Sequence, residues 1–353
     1  MTQSGPARAP LRSRLGAAIE IVPGLALSAI VAVAAHEVAP LLPRMLPLPA
    51  MVLALFIGMM FHPIAKRPAI ERGMTFCVKT LLRWAVALLG IRIGLADIAA
   101  LGSPTAALVV ASMVATIASG FVFATLNGLR AEFGALVGAA TAVCGASAAL
   151  ATSTVVPYYP GKQADIVFVV VGVNALATLA LLVFPPLCAL LGFDPRDTGV
   201  MLGGTIHDVA QVVGAGYAVS EPVGNAAVIV KLFRVFLLLP VVLGIGWYFT
   251  SRGAEHGEAK VPLPIFAFVF LLLCVVNSTV PLWPTLAPLY VPARALLIEV
   301  STWGLLVAIG ALGLGTSVSG IAALGWRHAI TIVGTTLVIV VIVIGGLLAL
   351  RPL

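Results

Sequence analysis

The sequence predicts an all-α polytopic membrane protein of about eleven transmembrane segments, arranged as inverted repeats of five helices with broken helices at mid-membrane. Three observations predict it. The 353-residue chain is 61% hydrophobic and only 9% charged, where soluble proteins carry roughly 25% charged residues. Its apolar residues come in runs of about twenty, enough helix to cross about 30 Å of hydrocarbon, and not in the short alternating segments of an outer-membrane barrel. Finally, some of those runs are dense in Gly, Ala, Ser and Thr, which suits helices interrupted inside the membrane.

Hydropathy and loop punctuation place the segments over 19–42, 46–64, 76–96, 104–127, 133–156, 164–191, 198–218, 224–250, 263–281, 293–317 and 328–350. Residues 1–18 read as a cytoplasmic tail, 19–353 as one transporter domain, and 46–191 and 198–350 as its two repeats. The first run follows Arg8, Arg12 and Arg14 as a signal peptide would, but it is long and holds Pro23, His36 and Glu37, so it is a retained span. The net charge of +7 is scattered through short loops, with no aromatic-interleaved patch for nucleic acid. Cys77, Cys144, Cys188 and Cys274 lie in or beside apolar runs without CxxC spacing, which indicates neither disulfides nor a metal site; no cofactor is expected.

With the N-terminus cytoplasmic, the inside loops hold Lys66, Arg67, Arg72, Arg130, Arg196, Arg252, Lys260 and Arg327, and the C-terminus lies outside, in the bacterial inner membrane. Trp283 and Tyr290 suit an aromatic belt on the outer face. Lys162 is the exception. If segments five and seven are both re-entrant hairpins, Lys162 moves inside and Arg196 moves outside, and the two arrangements tie on basic residues. Eleven crossings are preferred, because one leading helix plus two groups of five yields inverted repeats and pairs segment five with segment ten. Both are rich in small residues, and "TAVCGAS" and "GALGLGT" are the expected breaks. Close helix packing accounts for the same small residues. A broken helix would instead free N–H groups and a positive dipole end for an anion.

Segment seven, "GGTIHDVAQVVGAG", sets His207, Asp208 and Gln211 in an apolar chain. Ionisable groups at that depth face a protein interior or a water-filled cavity. Thr205, Asp208 and Gln211 are spaced three apart, as on one face of a helix. Lys231 and Arg234 of segment eight are the polar partners at hand. A salt bridge from Asp208 to either is one reading. The other is a substrate cavity, in which two cations against one carboxylate leave a positive excess suited to an anion with several oxygens. Asp208 and His207 also titrate, and so can carry a proton. "TAVCGAS" aligns over "TIHDVAQ", setting Thr141 against Thr205 and Ser147 against Gln211. Glu299, Asn174 and Asn277 read as helix–helix hydrogen-bonding groups.

The strings "TAVCGASAA", "GGTIHDVAQVVGAG" and "KLFRV", in that order, with "ALGLGTSVSG" near the C-terminus, resemble the YeiH-like family of bacterial inner-membrane proteins, grouped as sulfate exporters. The resemblance implies a transporter of inverted-repeat fold, related to bile-acid symporter and sodium–proton antiporter architectures. The matching positions are Thr141, Cys144, Gly145, Ser147, Gly204, Thr205, His207, Asp208, Gln211, Lys231 and Arg234.

The expectation is a secondary transporter of a small inorganic or organic oxyanion, with the sulfur assignment resting on the family. Substrate binding falls to Thr141, Cys144, Gly145, Ser147, Thr205, Gln211, Lys231 and Arg234, and proton coupling to His207 and Asp208. The partners expected are the anion, a coupling proton or sodium ion, membrane lipid and a second copy in a homodimer. Two alternatives stand beside it: a passive anion channel, against which Asp208 argues, and an intramembrane enzyme using Cys144 and His207, for which no supporting spacing exists.

Overall fold

A computed structural model describes residues 11–41, 50–65, 67–252, 264–315 and 325–350. The regular secondary structure of the described residues is all helical, and seven helical stretches among them are long and apolar enough to cross a membrane. The protein is an all-α polytopic membrane protein with two compact units. One comprises residues 1–85 and 300–316, the other 86–299 and 317–353.

In the first unit, α1 (Leu11–Val38), α2 (Ala50–Met60), α3 (His62–Ala65) and α4 (Pro68–Phe76) are joined by the start of α5 (Leu82–Leu89). A π-helical turn, Cys77–Leu81, makes α4 and α5 one continuous run. Glycine sets the approach of α1 to α4: a methyl at Gly24 would lie 2.1 Å from the Ile70 carbonyl oxygen, and one at Gly73 2.2 Å from that of Ile21. Arg72 pairs with Glu20 across the same interface.

The C-terminal half of α16 (Ala287–Gly315) completes this unit and corrects one expectation. "GALGLGT" does not break the helix, which runs unbroken through Gly315; Thr316 and the rest of "TSVSG" lie outside the described residues. The glycines serve packing instead. A methyl at Gly310 would press on Val31, and one at Gly313 would come within 2.3 Å of the Leu55 carbonyl oxygen. Segment ten therefore gives no counterpart to a broken segment five.

The second unit holds α6 (Leu95–Ala100), α7 (Gly102–Leu126), α8 (Ala131–Ala142), α9 (Ala146–Ser153), α10 (Lys162–Leu190), α11 (Pro195–Thr205), α12 (Val209–Val219), α13 (Glu221–Phe236), α14 (Leu238–Thr250), α15 (Ile265–Thr279) and α17 (Trp326–Leu350). Neighbouring side chains fix the relative directions of the helices around the two short-helix pairs. On one face, Asn127 at the end of α7 donates to Thr331 near the start of α17. On the same face Phe133 of α8, Phe168 of α10 and His328 of α17 pack ring to ring. So α8, α10 and α17 all start where α7 ends. The residues flanking hairpin α8–α9 also meet there: the Arg130 guanidinium stands 5.7 Å over the Tyr159 ring, and Tyr159 donates to Asp165. Segment five enters and leaves by one face.

Segment seven does the same from the opposite face. Arg196 at the start of α11 donates to the Leu101 carbonyl beside the start of α7, and Glu221 at the start of α13 pairs with Arg92, just before α6. Helix α11 runs parallel to α13, Gly199 against Ala226 and Gly203 against Val230. Helix α12 runs antiparallel to it, since Gly216 meets Gly224 at the start of α13 while the His207 carbonyl meets Lys231 further along. With α11 and α12 of 11 residues each, and α8 and α9 of 12 and 8, no arm exceeds about 18 Å at 1.5 Å per residue, well short of the hydrocarbon thickness.

Eleven spanning segments in two five-helix repeats are not confirmed: the apolar segments are there, but segments five and seven are each two short helices whose outer ends lie on one face. Lys162 lies on the face of Arg130, and Arg196 on the face of Arg92, as two hairpins require.

Candidate functional site

The tips of the two hairpins meet. Helix α8 stops at Ala142, Val143 takes φ −114° and ψ −87°, and Gly145 turns the chain with φ +64° before α9. A side chain is unfavourable in that conformation. A methyl at Gly145 would lie 3.6 Å from the His207 carbonyl oxygen and 3.8 Å from the Asp208 Cβ, so the tips are in van der Waals reach. In the second hairpin, α11 ends at Thr205, Ile206 is extended, and Asp208 caps α12 with its Oδ1 accepting the Val209 N–H at 2.7 Å. The three-residue spacing of Thr205, Asp208 and Gln211 is thus split between two helices, correcting the expected single polar face.

Each tip exposes the C-terminal carbonyls of one arm, which carry partial negative charge. Lys231 and Arg234 of α13, both fully buried, satisfy them. The Lys231 ammonium donates to the carbonyls of Val143 (2.7 Å), Ile206 (2.9 Å) and His207 (2.5 Å). The Arg234 guanidinium donates from Nε to Ala142 (2.9 Å), from Nη1 to Gly203 (2.9 Å) and Ile206 (3.3 Å), and from Nη2 to Thr141 (2.8 Å). An ammonium has three hydrogens, so Lys231 is saturated. Each cation bonds to both hairpins. These hydrogen bonds go to main-chain oxygens of both hairpin tips.

The remaining expected residues surround this clamp. Thr205 is buried and donates to the Met201 carbonyl at 2.6 Å. Thr141 is buried with its hydroxyl unpartnered. Cys144 is buried in the first break, and Ser147 is half-buried in the first turn of α9. Gln211 donates to Asn174 Oδ1 (3.1 Å) and Thr178 Oγ1 (3.4 Å) of α10, leaving its own buried Oε1 without a partner. His207 Nε2 lies 3.0 Å from the Thr336 hydroxyl of α17, which itself donates to the Ile332 carbonyl. Thr178 and Thr336 escaped sequence reasoning, as did the carbonyls, because hydroxyls on apolar helices carry no distinctive spacing and carbonyls carry no letter. Among the described residues no cluster of His, Cys, Asp and Glu fit for a metal occurs.

At the tips, then, two positive helix N-termini, those of α9 and α12, start beside a pair of fixed cations, with one half-buried carboxylate between them. The model of the family described as conserved hypothetical protein 698 matches residues 23–332. The chain belongs to that family. Relatives of this chain in the family include the UPF0324 membrane protein TauZ of Paracoccus pantotrophus, 41% identical over 93% of this chain and 95% of the relative. A UPF0324 membrane protein of Chlorobaculum tepidum is 38% identical over 84% of this chain and 82% of its own length, and one of Rhizobium meliloti is 39% identical over 92% of each. No solved structure matches the chain. The match to the family model takes in both hairpins and α13, so the tip-to-tip junction lies within the part of the chain that defines the family.

Proposed function

We propose that this protein is a secondary active transporter of a small oxyanion such as sulfate, sulfite or a sulfonate, exporting it across the bacterial inner membrane. The observation that carries the reading is the meeting of two hairpins from opposite faces, with helix N-termini starting at the junction. Secondary transporters place their sites at such interrupted helices, where freed N–H groups hold anionic groups. Within this reading the anion rests against the open N-terminus of α9, on Gly145 and Ser147, with Thr141, Cys144, Thr205 and Gln211 lining the approach. Lys231 and Arg234 act as positioning residues: they hold the junction and lend it positive potential. His207 and Asp208 handle the coupling proton, sodium being the alternative coupling ion.

The inverted relation is then a pair of hairpin-plus-helix units, 131–190 and 195–236, rather than two five-segment repeats. Nine segments cross the bilayer, with the N-terminus cytoplasmic, the C-terminus outside, and a homodimer as the assembly. Arg130, Lys162, Arg252 and Arg327 fall on the cytoplasmic side, in keeping with the positive-inside rule. A passive channel is disfavoured by Asp208, since an anion pore gains nothing from a carboxylate.

The test is a thermal-shift and binding screen of purified protein against sulfate, sulfite, thiosulfate, sulfonates, carboxylates and phosphate, followed by flux in proteoliposomes with and without a proton gradient. Saturable binding of sulfur oxyanions and gradient-driven flux are expected. Flux indifferent to the gradient would make the protein a channel.

A further inference from the structure

Two cations stand exposed partway along the continuous run that α4, the π-helical turn and α5 form in the first unit. Lys79 lies in the turn Cys77–Leu81, Arg83 follows four residues on, and Thr80 is exposed beside them. Among the described residues neither cation has a hydrogen-bonding or ionic partner. Their depth follows from the neighbouring helices. The Arg72–Glu20 pair marks one membrane edge, because the apolar stretch of α1 begins at Glu20. By its number Arg83 is 11 residues past Arg72, about 16 Å along a helix and half of a hydrocarbon core of about 30 Å. Helix α16 gives the same depth: Ser301 donates to the Ala85 carbonyl, and it lies 13 residues after Pro288 and 14 before Gly315, the ends of that apolar stretch.

Lys79, four residues nearer the edge, extends its ammonium toward the headgroups, but Arg83 is farther from either edge than its side chain is long. A charged group at the midplane faces water or protein rather than lipid, and such groups mark substrate and ion pathways. No acid is at hand to neutralise it. Glu299, the exposed carboxylate at this depth, is two residues before Ser301, about 200° around α16, and Arg83 is likewise two residues before Ala85 on its own helix. The two side chains therefore leave the α5–α16 contact in opposite directions. The π-helical turn is an independent sign, since such turns inside α-helices concentrate at functional sites.

We propose that Lys79 and Arg83 form a second anion site, in water, that holds a small oxyanion partway across the bilayer on the first unit. The planar guanidinium fork takes two oxygens of the anion, and the ammonium adds a second positive charge toward the cytoplasmic edge. The inference rests on the oxyanion reading above for its ligand and adds to it a waiting place on the route.

The test places a reporter beside the two cations and leaves both intact. Thr80→Cys is made in a Cys-free background of the full-length protein in lipid nanodiscs, with Val114→Cys, exposed near the middle of α7, as the lipid-facing control. The Thr80 cysteine should react with 2-sulfonatoethyl methanethiosulfonate at least tenfold faster than the control. Relative to their rates with a small free thiol, this anionic reagent should also outpace its trimethylammonium counterpart. Sulfate should slow the reaction, and adding Arg83→Gln should abolish that protection. A Thr80 cysteine as unreactive as the control puts this face in lipid or under protein, a second copy included, and overturns the inference. Reaction that sulfate does not slow, in a protein that binds sulfate by calorimetry, overturns the inference and leaves the oxyanion reading standing, as does protection that survives Arg83→Gln. Neither protection nor calorimetric binding by sulfate and methanesulfonate overturns both together. The reactivity and protection of Thr80→Cys alone decide the matter where the double variant fails to fold.

Discussion

Arg130 stands over the ring of Tyr159, 29 residues along the chain by their numbers, with the whole of hairpin α8–α9 between them. A helix that crossed the bilayer would put these residues on opposite sides. The first prediction follows from that pairing. In a Cys-free background, a cysteine at Lys162 should react with a membrane-impermeant thiol reagent only from the cytoplasmic side, and one at Arg196 only from outside intact cells. The reverse pattern, Lys162 labelled only from outside and Arg196 only from the cytoplasmic side, would restore spanning segments five and seven and remove the hairpins.

Arg234→Gln removes a guanidinium that bonds to four carbonyls, Thr141 and Ala142 on one hairpin and Gly203 and Ile206 on the other. Ile206 keeps its bond to Lys231 and a glutamine amide has two donors, so at least one of the Thr141, Ala142 and Gly203 carbonyls loses its partner. Stability should fall by about 2–4 kcal/mol, the range for leaving buried polar groups unpaired, read as a lower melting temperature in detergent. Anion binding should weaken at least tenfold, about 1.4 kcal/mol. A variant of unchanged stability would show that the carbonyls do not depend on this side chain.

Gly145→Ala tests conformation apart from space. The nearest atom to the added methyl is 3.6 Å away, so nothing clashes, yet φ is +64° with ψ −126°. The cost of holding alanine there is about 1–3 kcal/mol. The expected result is a moderately less stable protein whose oxyanion affinity drops more than that of Cys144→Ala, because the start of α9 is displaced. Equal affinities would separate the turn from the site.

The pH dependence of stability has a marker outside the membrane-spanning helices. Burial and the hydrogen bond to Asp165 push the Tyr159 phenol well above its ordinary value of about 10. The folded protein then retains a proton that the unfolded chain gives up, so stability is fully present below about pH 10 and declines as pH rises beyond it. Melting temperature should therefore fall on the alkaline side, and Tyr159→Phe should flatten that limb while lowering stability at neutral pH. An unchanged alkaline limb in the variant would assign it to other groups.

Much of this fold was legible as apolar length: the segments at 133–156 and 198–218 coincide closely with α8–α9 and α11–α12. Their direction was not, because a helix that turns back is written in the same small and apolar letters as one that continues. Charge could not break the tie, since Lys162 and Arg196 exchange sides together. Local alignment does pair the two tips, for "TAVCGAS" and "TIHDVAQ" are the stretches at which the two hairpins turn. For Lys231 and Arg234 the sequence marked the charges but not their partners: two cations near one acid suggested a salt bridge or an anion, and carbonyls at helix ends leave no trace in composition. Segment ten misled for the opposite reason, its glycines being spent on contact with α1 and α2.

The clamp at the junction also has a consequence for how the chain is made. Thr141 and the guanidinium that holds its carbonyl are 93 residues apart, a length that takes roughly 5–19 seconds to synthesise at 5–20 residues per second. Throughout that interval the first hairpin is in existence without its cation, and a ribosome stalled anywhere before residue 234 holds a tip whose carbonyls have no permanent donor. The arrival of α13 is thus the step at which the exposed carbonyls of both tips gain their permanent donors, with α17, which brings Thr336 to His207, still to be made.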